Sequence, residues 1–314
     1  MDRKPVSVKS YANIAIVKYW GKADAERMIP STSSISLTLE NMYTETKLSF
    51  LPEDATGDVM YIDDELQGEK ETTKASKVLD LFRTNPNQHV KIETWNNMPT
   101  AAGLSSSSSG LSALVKAANE LFQVGKTQSE LAQIAKFASG SSSRSFFGPL
   151  AAWDKDSGEV YPVETDLKLA MIMLVLTDQK KPVSSRDGMK LCTETSTSFP
   201  EWIKQSEQDY KDMLGYLKTN DFQAVGELTE ANALRMHQTT STANPPFSYL
   251  TDASYQAMDK VKALRASGER CYFTMDAGPN VKVLCLEEDL DRLADHFSQD
   301  YQVIVSRTKE LPDA

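Results

Sequence analysis

The stretch from Met98 to Gly110 has the composition of a phosphate-binding loop. It reads Met98-Pro99-Thr100-Ala101-Ala102-Gly103-Leu104, followed by five consecutive serines and Gly110. A strand pattern precedes it and an apolar-periodic helix follows, so unpaired backbone N–H groups and the positive end of a helix dipole would meet there. A flexible serine-rich linker or an ordinary serine N-cap is the alternative. The flanking strand and helix favour the phosphate loop.

Two familiar nucleotide-binding fingerprints are missing from the chain. No G-x-G string occurs, which removes the dinucleotide fingerprint. Gly125-Lys126-Thr127 resembles the end of a Walker A loop, but Glu120 stands where its first glycine should be. A nucleotide would therefore be held by a different loop.

Two further segments place a cation where it could bind an anion. In residues 11 to 22 (YANIAIVKYWGK), Lys18 ends an apolar strand pattern beside two aromatic residues. It is either a solvated charge or part of a cleft wall. In residues 139 to 145 (SGSSSRS), Arg144 lies among hydroxyls at a helix exit. Its planar guanidinium suits a carboxylate or phosphate, although an arginine in a surface loop has the same pattern.

A fourth segment, residues 274 to 280 (TMDAGPN), carries a carboxylate. Asp276 ends an apolar strand pattern just before a Gly-Pro turn. Taken alone, the pattern is typical of a turn aspartate that caps the backbone. A catalytic carboxylate is the alternative, and only the combination with the other segments favours it.

The composition excludes several classes of protein. With 44 acidic and 34 basic residues among 314, the net charge is −10, which argues against a nucleic-acid binder. The three histidines and three cysteines are scattered, so zinc chemistry and a histidine-centred triad are not expected, and the cysteines suit a reducing cytosol. The longest purely apolar run, residues 169 to 176, is too short for a membrane helix, and no signal peptide is recognisable. We therefore expect a soluble, cytoplasmic protein.

Periodicity predicts the elements that position these four segments. Strand patterns cover residues 6–17, 33–39, 44–50, 90–94, 169–177, 271–275, 281–286 and 301–305. Helical patterns cover residues 74–82, the stretch after the serine loop through 121, and residues 128–138, 198–217, 222–236, 253–266 and 287–297. The sequence therefore predicts an α+β fold, with a strand-rich N-terminal lobe and a helix-rich C-terminal lobe that carries a small sheet.

These four segments, together with a fifth at residues 184 to 189, occur in an order that resembles one family. YANIAIVKYWGK, PTAAGLSSSSSG, SGSSSRS, SSRDGM (residues 184 to 189) and MDAGPN resemble the mevalonate diphosphate decarboxylases of the galactokinase, homoserine kinase, mevalonate kinase and phosphomevalonate kinase (GHMP) superfamily. The strings N-I-A-x-x-K-Y-W-G-K and D-A-G-P-N separate this family from the kinases that share its fold. Many members have alanines in place of Ser105 and Ser108, and commonly a glycine in place of Pro149, but these departures remove no group that the chemistry needs.

The resemblance implies a GHMP-kinase-like, two-lobed fold around a deep cleft. Residues 1–180 would form the N-terminal lobe, which is ribosomal protein S5 domain 2-like and holds the phosphate loop. Residues 181–314 would form the C-terminal GHMP-type lobe. The implied activity is ATP- and Mg²⁺-dependent decarboxylation of mevalonate 5-diphosphate to isopentenyl diphosphate, through phosphorylation of the C3 hydroxyl, in isoprenoid biosynthesis. A homodimer is also implied, with no nucleic-acid or membrane partner.

The resemblance also implies roles for individual residues. Asp276 would be the base or orienting acceptor for the C3 hydroxyl, Lys18 would keep it ionised, and Arg144 would hold the substrate carboxylate. Ser106 is placed with these catalytic residues. The positions that match substrate contacts are Tyr19, Lys22, Ser139, Ser141, Arg144 and Ser185. The positions that match ATP contacts are Ala102, Gly103, Ser105, Ser106, Ser107, Ser108 and Lys181. No protein ligand set is expected for the metal, because ATP oxygens and water would hold most of its coordination sphere.

Two structural expectations follow from these roles. Two polyanionic ligands must enter an acidic protein, so a set of cations should be concentrated in one cleft. This set consists of Lys18, Lys22, Arg144, Lys180, Lys181 and Arg186. The charged residues 63 to 71 are a candidate lid over ATP.

Three rival functions share parts of this pattern. A mevalonate-type 3-kinase would stop after phosphorylation, and a phosphomevalonate decarboxylase would take the monophosphate. A non-catalytic ligand-binding protein on the same scaffold would be expected to lose the charged trio or the phosphate loop, and this chain has both. Fold by itself does not decide among them.

Overall fold

The computed structural model describes residues 4–98, 106–177 and 181–312. The strands are β1 Val6–Val17, β2 Lys22–Asp24, β3 Ile29–Pro30, β4 Ser34–Phe50, β5 Val59–Ile62, β6 Glu65–Leu66, β7 Val90–Asn96, β8 Leu150–Trp153, β9 Val160–Pro162, β10 Leu169–Val175, β11 Cys271–Met275, β12 Val281–Leu286 and β13 Gln302–Arg307. The α-helices are α1 Glu69–Leu79, α2 Ser106–Leu121, α3 Gln128–Ala138, α4 Ser185–Thr195, α5 Phe199–Lys218, α6 Phe222–Ser241, α7 Asp252–Ala266 and α8 Leu290–Ser298. Two 3₁₀-helices cover Gly140–Phe146 and Glu287–Asp289.

Strand β1 and strands β4 to β9 form one sheet organised around β4, while β2 and β3 pair separately. Its order is β6-β5-β7-β4-β8-β9, with β1 also paired to β4. The sequence predicted two strands, residues 33–39 and 44–50, where the structure has a single strand. The pairing of β1 with β4 shifts register between Tyr11 and Asn13, so the exposed residues around Glu40 form an irregularity within the strand. That irregularity breaks the alternating pattern and explains the predicted gap.

A second, antiparallel sheet lies in the C-terminal half, with the order β11-β12-β10-β13. Strand β10 pairs with β12 and β13, although it precedes residue 180 in the chain. The lobe boundary at residue 180 stays a prediction. One apolar core cluster contains Ile14 and Leu37 of the first sheet together with Met171 and Leu284 of the second. The two sheets therefore share a core, which supports the ends of the strands that carry Lys18 and Asp276.

Helix α1 differs most from its predicted bounds, because it was predicted to cover residues 74–82. In the structure the helix begins at Glu69. Its first residues, 69–74, are polar and mostly exposed, so they produce no apolar pattern. The helix ends at Leu79. The backbone N–H of Phe82 then donates to the carbonyl oxygen of Leu79 in a tighter turn, so Phe82 lies outside the helix although its side chain is buried. Periodicity detects burial, whereas the hydrogen bonds decide where a helix ends. No helix in the described part of the chain is long and apolar enough to cross a membrane.

Candidate active site

A cleft of about 1420 Å³ brings the predicted segments together. Its walls include the ends of β1 and β11, the start of α2, the 3₁₀-helix Gly140–Phe146 and the start of α4. Ten predicted ligand-contacting residues line it: Lys18, Tyr19, Lys22, Ser107, Ser139, Ser141, Arg144, Lys181, Ser185 and Asp276. Residues far apart in the chain therefore share one site.

Lys18 and Asp276 form a buried ion pair at the base of this cleft. Lys18 Nζ lies 2.8 Å from Asp276 Oδ1 and also donates to the carbonyl oxygen of Ala15 at 2.7 Å. Both residues line the cleft, and the Asp276 side chain is 24% exposed against 2% for Lys18, so the carboxylate is the more exposed member of the pair. The backbone N–H of Lys18 donates to Asn232 Oδ1, which anchors the end of β1 to α6.

The charges of this pair are set by burial and by neighbouring groups. Burial raises the pKa of Asp276, but Lys18 and Lys282 outweigh that effect and hold this pKa well below its usual range. Burial lowers the pKa of Lys18 to about 8, against the opposing attraction of Asp276. At neutral pH the carboxylate is therefore ionised and available as a hydrogen-bond acceptor.

Arg144 is held rigidly beside the pair by two serines of β4. Its Nε donates to Ser36 Oγ at 3.0 Å, and Nη1 donates to Ser34 Oγ at 2.6 Å. The residue is 2% exposed, and burial lowers its pKa to about 10, so it stays a cation at neutral pH. A guanidinium has five N–H donors, and three remain for a ligand after these two bonds. The surface-loop interpretation of this arginine is wrong.

Tyr19 forms part of one wall of the cleft. Its hydroxyl is buried without a hydrogen-bond partner among the described residues, and burial raises its pKa to about 12. Its ring packs against Trp153 at a centroid distance of 5.0 Å. A Cβ at Gly140 would lie 2.8 Å from the Tyr19 ring, so glycine is required by this close approach. Ser139 and Ser141 share a hydrogen bond next to it.

The C-terminal half contributes further cations to the same wall. Lys181 Nζ donates to Ser185 Oγ and to the carbonyl oxygen of Ala277, each at 2.6 Å, which ties the start of α4 to the turn after Asp276. Burial lowers the pKa of Lys181. Arg186 of α4 also lines the cleft, and Lys22 of β2 joins it from the N-terminal half. Of the six cations expected to cluster, five lie together here, and Lys180 is outside the described residues.

Only part of the serine loop lies within the described residues. Ala102, Gly103 and Ser105 lie outside the described residues, and Ser106 begins α2 without a described side chain. Ser107 is exposed and lines the cleft. Ser108 is 1% exposed, and its Oγ accepts from the backbone N–H of Asn13 at 3.5 Å. The structure therefore does not bring the Ser108 side chain into the cleft, because helical geometry turns successive residues of α2 to different faces.

The outer part of the cleft could hold a nucleotide base. It is lined by apolar side chains of the first sheet and its helices, including Met60, Ile92, Leu111, Leu114 and Phe137. The predicted lid, residues 63–71, forms a turn, β6 and the start of α1, and several of its side chains line this part. Whether the lid moves stays a prediction. The described residues contain no group of three or more His, Cys, Asp or Glu side chains placed to hold a metal ion.

Sequence reasoning missed two buried residues beside Asp276. Lys282 of β12 lies 3.1 Å from Asp276 Oδ2 and is fully buried. His237 of α6 is buried behind the pair, and burial lowers its pKa to about 4. The signal for Lys282 was a lysine inside the apolar string VKVLCL, where a charge must have a buried partner. His237 gave no signal, because it lies just after the predicted helical pattern of residues 222–236, in the part of α6 that the pattern did not cover.

Comparison with known proteins assigns the family. Residues 10–161 match the model of the diphosphomevalonate decarboxylase-like N-terminal domain, and residues 171–312 match that of the mevalonate 5-diphosphate decarboxylase C-terminal domain. The chain is 31% identical to the diphosphomevalonate decarboxylase of Candida albicans, over 91% of this chain and 86% of that protein. The chain is thus a GHMP-type α+β protein, and it belongs to the diphosphomevalonate decarboxylase family.

Solved structures agree over the whole chain. Mevalonate pyrophosphate decarboxylase from Streptococcus pyogenes is 67% identical, with a TM-score of 0.97 and coverage of 100% of this chain and 99% of that one. The protein MDDEF in complex with MVAPP, AMPPCP and magnesium is 40% identical, with a TM-score of 0.90 and coverage of 98% of each chain. The two-lobed fold expected from the sequence is confirmed.

Proposed function

We propose that this protein catalyses the ATP-dependent decarboxylation of mevalonate 5-diphosphate to isopentenyl diphosphate, releasing ADP, phosphate and CO₂. The observation that carries the proposal is the buried Lys18–Asp276 pair beside Arg144 in one cleft. The complex of a 40% identical relative with MVAPP, AMPPCP and magnesium supports the choice of ligands.

In the first step, Asp276 accepts a hydrogen bond from the C3 hydroxyl of the substrate. An alcohol is a far weaker acid than a carboxylic acid, so the proton moves to Asp276 only as the γ-phosphoryl group of ATP forms its bond to the hydroxyl oxygen. Lys18 keeps the carboxylate ionised until then. The C3 oxygen gains the phosphoryl group, and ADP is the leaving group.

Residues on the nucleotide side stabilise the charge that moves during this transfer. Lys181 lies beside the turn after Asp276, where its ammonium group would face the transferring phosphoryl oxygens. Ser107 offers an exposed hydroxyl at the start of α2, next to the positive end of the helix dipole. Hydroxyl and phosphate oxygens suit Mg²⁺, so Ser107 and the nucleotide itself would hold the ion. When bound, the ion neutralises phosphate charge.

In the second step, Arg144 holds the substrate carboxylate while the C3 phosphate leaves. A tertiary C3–OH is a poor leaving group, but the phosphate ester departs with the C3–O bonding electrons. The electrons of the bond between C2 and the carboxylate carbon then form the new double bond, and CO₂ is released. The departing phosphate creates the electron demand that many decarboxylases obtain from an electron-sink cofactor.

The remaining residues of the wall suit the diphosphate group. Tyr19, Lys22 and Arg186 offer one hydroxyl and two cations, and the serines at 139, 141 and 185 add hydroxyl donors. A diphosphate has more acceptor oxygens than a monophosphate and can pair with more of these donors, so this set favours the diphosphate.

Cellular location and assembly are also part of the proposal. The three cysteines are free and buried, which suits a reducing cytoplasm. We expect a homodimer, the commonest symmetric assembly. Light scattering during size-exclusion chromatography measures the assembly, and a monomeric mass would contradict it.

The test is one reaction with purified protein, ATP, Mg²⁺ and mevalonate 5-diphosphate, in which ADP and CO₂ are quantified together. Equal amounts from the wild type, with both lost in Asp276→Ala, would support the proposal. Asp259→Ala, an exposed aspartate of α7, is the matched control and should keep full activity. ADP without CO₂ would make the protein a 3-kinase. Turnover of only the monophosphate, or of neither substrate, would favour a phosphomevalonate decarboxylase or a binding protein.

A further inference from the structure

Lys282 occupies a position where a charged side chain is costly. It lies in β12, with Thr274 of β11 and Met173 of β10 as its cross-strand partners. Its side chain is 0% exposed, and Leu284, two residues on and on the same face of the strand, belongs to the apolar core. A buried ammonium group is tolerated only with a well-placed partner. The partner therefore explains why lysine is present.

That partner is Asp276. Lys282 Nζ lies 3.1 Å from Asp276 Oδ2, and Lys18 Nζ lies 2.8 Å from Oδ1, so each carboxylate oxygen has its own lysine. Lys282 has no exposed surface and cannot touch a ligand, whereas Asp276 is 24% exposed toward the cleft. Lys282 therefore acts on the reaction without touching a ligand, and its ion-pair contact with the site is the carboxylate of Asp276.

Two contacts on one carboxylate have a geometric consequence. Rotation of an aspartate carboxylate about its last bond has broad, shallow minima, so one contact leaves its plane poorly defined. Lys18 hydrogen-bonds Oδ1, and Lys282 forms a buried ion pair with Oδ2 that lacks hydrogen-bond geometry, so the charges on both sides restrict that rotation. Positioning of this kind lets an acceptor meet a hydroxyl without reorganising.

We propose that Lys282 is a positioning residue that pairs with Oδ2 of Asp276 and acts on the reaction through that carboxylate. The inference rests on the proposed function and deepens it, because it separates the two lysines of the site. Lys18 is one of the residues that line the cleft, whereas Lys282 is fully buried and does not line it.

The pH dependence of the reaction distinguishes this role from a purely structural one. Several charged or titratable groups face Asp276 from the elements around it: Lys18 of β1, Lys282 of β12, Arg144 of the 3₁₀-helix, Lys181 before α4 and His237 of α6. Removing Lys282 removes one attraction and leaves the burial of the carboxylate in place, so the pKa of Asp276 rises. The carboxylate of the variant therefore takes up its proton at a higher pH than that of the wild type, and only the ionised form accepts the hydroxyl proton.

The experiment compares Lys282→Met with Thr274→Val and with the wild type. Methionine fills the space of the lysine without its charge, and Thr274 is the cross-strand neighbour of Lys282 in the same buried layer. For Lys282→Met we expect kcat to fall about 10- to 100-fold with KM changed less than about threefold, and the pKa of Asp276 to rise toward its ordinary range. Thr274→Val should leave both unchanged. If Lys282→Met does not accumulate as folded protein, Lys282→Gln replaces it.

In folded Lys282→Met, a loss of kcat no larger than that of Thr274→Val, or a KM that rises as much as kcat falls, would overturn the proposal. A second readout does not need turnover: the ¹³C carboxyl signal of Asp276, assigned with Asp276→Asn, is titrated in both proteins. Its pKa should rise in Lys282→Met, and an unchanged value would also overturn the proposal. If the wild type fails to consume mevalonate 5-diphosphate, the proposed function is wrong, while the carboxyl titration still decides the role of Lys282.

Discussion

Replacement of Arg144 by lysine tests the role given to the substrate carboxylate. The change keeps a positive charge but removes the planar fork, whose Nε and Nη1 are bonded to Ser36 and Ser34. A single ammonium group cannot keep both serine contacts and also bind a carboxylate through two parallel bonds. The perturbation therefore separates the charge at this position from its geometry.

The magnitude follows from the hydrogen bonds that are lost. A hydrogen bond to a charged group contributes about 1.5–3 kcal/mol, and the change costs one or two such bonds to the ligand. A loss of about 3 kcal/mol corresponds to a decrease of about 100-fold in kcat/KM, at about 1.4 kcal/mol for each factor of ten. Because the fork orients the carboxylate for the second step, we also expect less CO₂ than ADP from the variant.

The assay measures ADP and CO₂ from the same reaction at several substrate concentrations. Arg265→Lys is the matched control, because Arg265 pairs with Glu230 on α6, and Arg265 is not among the residues that line the cleft. It should keep kcat/KM within about threefold of the wild type. If Arg144→Lys did the same, or if both variants lost activity equally, Arg144 would not hold the substrate carboxylate.

Three further predictions concern charge, packing and pH. Raising KCl from about 0.05 to 0.5 M should increase the KM for mevalonate 5-diphosphate at least about threefold, since salt screens the clustered cations; a constant KM would refute this clustering. Gly140→Ala places a Cβ 2.8 Å from the Tyr19 ring and 2.9 Å from Trp153, so we expect a loss of about 1–3 kcal/mol in the free energy of unfolding and a higher KM. A thermal melt and kinetics that match the wild type would contradict it. Burial lowers the pKa of His237 from 6.5 to about 4, so the unfolded state binds more protons between these values, and stability falls by about 3 kcal/mol as pH drops through that window. Denaturant unfolding of His237→Leu should lack this component, and an identical pH profile would count against it.

The sequence predicted most of the elements that build the site, because their patterns are local. Strands β11 and β12 and helix α3 have the predicted bounds, since each has a run of residues of one periodicity between clear turn signals. Such patterns have a limit. They placed both ends of α1 wrongly, and they predicted two strands where the structure has the single strand β4. In both places, hydrogen bonds to neighbouring backbone decide the element, and side-chain periodicity does not report them.

For the candidate site, too, the sequence predicted some features and not others. Lys18, Arg144 and Asp276 were named from short strings, because each lies beside turn or strand-end residues that mark a special position. Their order along the chain carried the resemblance to the family. Their mutual distances did not follow from that order, because the residues are separated by more than a hundred positions and meet only when the two sheets pack.

The sequence by itself determined which reactive groups this protein has, and therefore the class of reaction they suit. Only the tertiary structure decided how those groups are charged and oriented. It paired Lys282 with Asp276, turned Ser108 away from the cleft and enclosed Arg144 between two serines. The physical reason is that a pKa and a side-chain direction depend on burial and on neighbours from other strands, and a linear pattern contains no information about either.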